Sequence, residues 1–143
     1  MPHPYGRANV NSESLDMPVQ VELHQIIIRE MENEQFIVLK EVDGERRLPI
    51  LIGSTEAFAI DRRLKGIPAP RPLTHDLLAN VIEAMGGFIE KIEITHLEVT
   101  GGEGTFIAQL SIRQGDKLLQ IDCRPSDAIA LGASSGTPIF VAE

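Results

Sequence analysis

From Val19 onward the apolar and polar residues change rhythm several times. Val19, Val21 and Leu23 alternate with Gln20, Glu22 and His24, the period-two pattern of a half-buried strand, and Ile26, Ile27 and Ile28 continue it as an apolar run. The glutamate-rich stretch 29–34 reads as a turn, 36–42 as a second strand, Asp43-Gly44 as a hairpin turn and 48–52 as a third strand. Pro49 cannot donate to a ladder, which places that third strand at an edge or delays its start. The period then becomes helical. Ala57, Ile60 and Leu64 form a stripe that starts at Gly53-Ser54-Thr55-Glu56, with Ser54 or Thr55 as cap, and stops at Gly66. A proline-rich connector, 67–70, leads to a second helix. Thr74 is its expected cap, and Leu77, Leu78, Val81, Ile82 and Met85 are spaced to face a core; Gly86-Gly87 ends it.

Beyond it, 88–99 reads as a long strand, the glycines of 101–104 as a hairpin turn, and 105–113 as a strand in which Phe106, Ala108, Leu110 and Ile112 alternate. Residues 118–123 pair back, Ala128 to Leu131 form a short helix, and 138–141 form a last short strand, expected at an edge. Hairpins dominate. The expected fold is α+β: a mixed, mostly antiparallel sheet of about six to seven strands with three helices packed on it. Residues 1–17, polar and without apolar period, read as a disordered tail, and 18–143 as a single domain.

Composition narrows the class. Hydrophobic residues make up 43% with no Trp, so the core is aliphatic. No apolar run approaches the roughly 20 residues that span a bilayer, and the N-terminus lacks a signal-peptide stretch, so the chain reads as cytoplasmic and without a membrane partner. Cys123 is the sole cysteine, which excludes an intrachain disulfide; it is expected to pack as a small apolar side chain at a strand end. The net charge of −8 argues against a general nucleic-acid coat. Between Arg46 and Arg71, however, six cations face only Glu56 and Asp61, a local excess of +4. That excess is either a basic face or an ordinary solvated helix face. His96, on the face of Ile92 and Ile94, reads as a satisfied or exposed histidine rather than a ligand.

Two stretches concentrate chemistry. Arg71-Pro72-Leu73-Thr74-His75-Asp76 carries a guanidinium, a hydroxyl, an imidazole and a carboxylate into the first turn of a helix, beside free N–H groups and the positive end of the helix dipole. Arg124-Pro125-Ser126-Asp127 repeats the design. Either stretch alone reads first as capping with dipole compensation, worth ~1 kcal/mol each; together they are candidates for one site. Glu56, in another first turn, is either dipole compensation or a third site carboxylate.

Leu48-Pro49-Ile50-Leu51-Ile52-Gly53 with Glu56-Ala57, then Arg71-Pro72-Leu73-Thr74-His75-Asp76-Leu77, then Arg124-Pro125-Ser126-Asp127-Ala128-Ile129-Ala130-Leu131, resemble the bifunctional nuclease domain family, in order and in spacing, over about 19–143. The resemblance implies a small α+β domain that hydrolyses phosphodiester bonds of DNA and RNA. It carries over no catalytic set, so roles are assigned from chemistry. Asp76, Asp127 and Glu56 are candidate ligands for Mg²⁺ or Mn²⁺, which would activate water and neutralise charge at phosphorus. His75, with Asp76 and Asp127, is a candidate catalytic residue, since imidazole exchanges protons near neutral pH. Arg71 and Arg124 offer bidentate phosphate contacts, and Thr74 and Ser126 lie at helix starts that can bind phosphate through N–H groups. With no stacking aromatics, little sequence preference is expected. The alternative is a non-enzymatic regulatory or anionic-ligand-binding domain. Aliphatic edge strands predict a homo-oligomer, a dimer in the simplest case.

Overall fold

The computed structural model describes residues 17–98 and 104–143. The expected N-terminal tail and the turn at 101–103 lie outside the described residues. In chain order the elements are β1 (Val19–Ile27), β2 (Glu34–Glu41), β3 (Arg47–Gly53), α1 (Ser54–Lys65), α2 (Thr74–Ala84), β4 (Gly87–Glu98), β5 (Gly104–Gln114), β6 (Lys117–Cys123), α3 (Pro125–Gly132) with a single 3₁₀ turn after it (Ala133–Ser135), and β7 (Ile139–Val141). The seven strands form one sheet in the order β3-β2-β1-β7-β4-β5-β6. Every neighbouring pair is antiparallel except β4 with β7. The α+β architecture read from periodicity is the one observed, with both bulges, in β1 and β4, lying where the ladders shift register.

β3 is an edge strand, as Pro49 suggested. β7 is not. It lies in the middle of the sheet, pairing Val19 with Val141 on one side and Ile92 with Ile139 on the other. Brevity does not confine it to an edge: a three-residue strand survives here because both of its flanks are paired. Pro138 stands just before the strand and only accepts, taking Ile92 N–H at 3.0 Å, so its missing donor is not needed.

The core is aliphatic. Ile37, Leu39, Ile60, Ile92, Ile94 and Ile129 are all at most 1% exposed. α3 is buried from Pro125 to Gly132 except for Asp127, whereas α1 buries only Ala57 and Ile60. Gly66 (φ 64°) and Gly86 (φ 80°) end α1 and α2 in the left-handed region that a Cβ disfavours. Cys123 ends β6 half-buried, its thiol donating to the Ala108 carbonyl at 3.6 Å; burial pushes that thiol up to about 12. His96 is exposed and meets the Phe106 ring edge-on, centroids 5.0 Å apart.

α2 departs from expectation. None of its residues is fully buried. Ala79 and Ile82 pack against the core, but Leu77, Leu78, Val81 and Met85, spaced to face a core, face solvent instead. α1 lies on β2 and β3 and α3 on β4 and β5, and α2 meets α3 and β4 along the line of Ala79 and Ile82.

Where α3 meets the sheet there is no spare volume. A Cβ on Gly132 would lie 2.8 Å from Thr137 Cβ and 3.0 Å from Ile92 Cδ1. Alanine is the better helix former by ~1 kcal/mol, but overpacking costs about 1–3 kcal/mol and should win. Gly132→Ala is therefore expected to lower the urea midpoint at unchanged slope. A raised midpoint would mean that the α3–β4 contact relaxes freely.

Candidate functional site

The three helices begin alike. Their N-caps are Gly53, Leu73 and Arg124, all extended, and none has a side-chain cap. Thr74 and Ser54 are therefore the first helical residues rather than caps, and Ser54 Oγ instead joins the Asn33 carbonyl (3.1 Å) and Gln35 Nε2 (3.2 Å). Ser126 is 5% exposed and points into the core side of α3. With Pro125 first in α3, helix geometry puts a carboxylate at the third position of each helix: Glu56, Asp76 and Asp127. A carboxylate there reaches back over the free N–H groups, as Asp76 does in accepting Leu73 N–H at 3.0 Å.

Two of the three helix starts are joined to the third by side chains. His75 Nε2 lies 2.9 Å from Asp127 Oδ1. Arg124 Nε donates to Asp127 Oδ2 at 2.9 Å, and its Nη1 reaches Glu56 Oε1 at 3.3 Å. Glu56, Arg124, Asp127 and His75 thus form one chain of polar contacts drawn from α1, α3 and α2. Burial pulls the Asp127 carboxyl up, but the hydrogen bonds from Arg124 and His75 outweigh it and hold that carboxyl below its ordinary value. Asp127 in turn raises Arg124. Nε2 is committed to Asp127, whereas His75 Nδ1 makes no hydrogen bond among the described residues.

Asp76 belongs to a neighbouring cluster. Arg62 donates to both of its oxygens, at 2.8 and 2.7 Å, and Arg63 Nη1 donates at 2.5 Å. Arg63 Nε also reaches the Ala130 carbonyl at 2.6 Å, and Arg62 Nη1 the Ile67 carbonyl at 2.8 Å. Hydrogen bonds from Arg62 above all, then from Leu73 N–H and Arg63, hold the Asp76 carboxyl at about 2 against the opposing effect of burial. A cavity of about 370 Å³ opens beside the pair, lined by Arg62, Arg63, Ile67, Pro68, Pro72 and Asp76 among others. Arg62 and Arg63 are thus not the solvated helix face that their spacing allowed. The signal was the local excess of positive charge; what hid their partner was the turn from Gly66 through Pro72 that folds α2 back onto α1. Arg71 is exposed and makes no hydrogen bond or ion pair among the described residues.

The expected grouping of Asp76, Asp127 and Glu56 around Mg²⁺ or Mn²⁺ is not preassembled. Among the described residues no three His, Cys, Asp or Glu side chains gather as ligands. Each of the three carboxylates faces a guanidinium instead. Three carboxylates meet three guanidiniums, and the helix N-termini add partial positive charge, each equivalent to roughly half a unit.

The bifunctional nuclease domain matches residues 37–143. The chain belongs to the bifunctional nuclease domain family. An uncharacterised protein of Mycobacterium tuberculosis is 38% identical over 124 residues, 87% of this chain and 71% of that protein. Bifunctional nuclease 1 of Oryza sativa subsp. japonica is 28% identical over 115 residues, 80% of this chain but only 34% of the rice protein. The bifunctional nuclease of Oryza minuta aligns with the same figures. The match includes all three helix starts and both clusters of this bifunctional nuclease domain. Among the described residues, no helix is long and apolar enough to cross a membrane.

The Asp76 cluster carries a pH signature. A carboxyl held at about 2, against an ordinary 3.8, stabilises the fold fully above the ordinary value and loses that contribution as pH falls toward 2. Asp76→Asn should be less stable than the parent at neutral pH, with the gap narrowing below 3.8. Urea unfolding of both proteins from pH 7 down to pH 3 checks this; a gap that does not change with pH would deny Asp76 its ion pairs.

Proposed function

We propose that the domain is a nuclease that hydrolyses phosphodiester bonds of both DNA and RNA, with His75 and Asp127 as its proton-transfer pair. Family membership supports the reaction class, and the contact of His75 Nε2 with Asp127 Oδ1 at 2.9 Å carries the assignment. With Nε2–H donated to Asp127, the tautomer leaves Nδ1 with a lone pair. Nδ1 takes a proton from the attacking water as its oxygen bonds to phosphorus. The P–O bond to the departing sugar oxygen breaks, and the proton is returned to that oxygen. Asp127 stays ionised throughout and stabilises the imidazolium. Arg124, 64% exposed at its side chain, swings between its carboxylates and a phosphate oxygen, adding a bidentate contact where negative charge builds. Asp76 holds Arg62 and Arg63 in place and so positions the start of α2.

A second reading is an anion-binding domain without turnover. The pairing of each carboxylate with a guanidinium favours it. One experiment separates the two: purified protein incubated with single- and double-stranded DNA and with RNA, with Mg²⁺, with Mn²⁺ and with chelator. Cleavage of both polymers is expected. Asp127→Asn should cut kcat by roughly 10²–10⁴, the range of a lost proton-transfer pair, and leave substrate KM within a few fold. Arg124→Ala should raise KM more than it lowers kcat. Retained binding of both polymers with no cleavage in any arm establishes the second reading instead.

A further inference from the structure

The apolar stripe of α2 has no partner within the chain. Leu73, Leu77, Val81 and Met85 follow one another four residues apart, and Leu78 lies beside them; at 3.6 residues per turn they occupy an arc of about 140°. No charged residue interrupts that arc. Phe88, at the start of β4, stands next after it in the chain. These six side chains are 42–68% exposed. At roughly 100 Å² apiece they present about 600 Å² of apolar surface, the top of the range for a monomer and most of the ~800 Å² per partner in a stable interface.

We propose that α2 is the two-fold interface of a homodimer, packed antiparallel against α2 of a second copy. Area selects this occupant: every copy carries the same stripe, and about 600 Å² from each side approaches what a stable two-fold interface buries. A two-fold axis near Ala79 places Leu77 against Val81 of the partner subunit and Leu73 against Met85 of the partner subunit. Each contact occurs twice. A lipid surface fits less well, because a helix lying in a membrane interface carries Lys and Arg along its polar face, and α2 contains neither. In the dimer His75, on the core-facing side of α2, stays clear of the interface. The proposal is independent of the nuclease reading.

Light scattering and sedimentation equilibrium on the full chain test it. The expected mass at micromolar concentration is twice the 15.7 kDa of one chain. Leu77→Glu and Val81→Glu, both at exposed positions, should raise the dimer Kd about 30-fold or more, the size of a hot-spot loss, with circular dichroism and Tm of the monomer intact. Leu51→Glu, on the exposed side of edge strand β3, should leave the dimer unchanged. A single-chain mass at tens of micromolar overturns the proposal, whether or not that monomer sediments with anionic lipid vesicles. So does a dimer that Leu51→Glu dissociates and Leu77→Glu does not.

Discussion

The sheet holds together through three residues. Strands β3-β2-β1 form one meander and β4-β5-β6 another, and no ladder joins them directly. β7 supplies the seam, antiparallel to β1 and parallel to β4, with Ile139 buried between them. Because α3 runs into β7 through one tight turn, the seam also fixes α3, and with it Arg124 and Asp127. A loss of pairing at β7 would open the sheet and release the site residues together.

What α3 presents is a meeting of helix starts. Each helix puts a carboxylate at its third position for a local reason, the free N–H groups of the first turn. The same placement sets Glu56 and Asp127 against Arg124 and Asp76 against Arg62 and Arg63. Local capping and site formation are therefore one arrangement. The burial that would otherwise make Asp127 a poor anion is offset by Arg124 and His75, a balance that keeps the carboxylate charged beside an imidazole.

Much of this was legible in the sequence because it rests on short-range rules. Strand alternation, Asp43-Gly44, and the glycine terminators of α1 and α2 each act within a few residues, and the elements they predicted formed with ends shifted by a residue or two. The Arg-Pro echo placed His75 and Asp127 as candidates, and they are in contact. What was not legible depends on packing. Nothing local distinguishes a three-residue edge strand from a three-residue central one, so β7 was misplaced. Thr74 has good capping chemistry, but the carboxylate of Asp76 already serves the amide of Leu73. The stripe on α2 has the right period for a core, but the helix meets the domain through Ala79 and Ile82 instead. The pairing of Asp76 with Arg62 and Arg63 needed the course of the connecting turn.

The position of β7 in the chain has a kinetic consequence. Its partners in β1 lie at the opposite end of the described sequence, so the seam is a contact of very long sequence separation. Each meander can zip up from neighbouring hairpins, but closing the sheet waits for the last strand to arrive. During synthesis the first meander leaves the ribosome with β1 bare along one side, its amides and carbonyls open to any strand that passes. Slow, temperature-sensitive recovery from the unfolded state and a demand for dilution or chaperone during refolding are what this topology imposes.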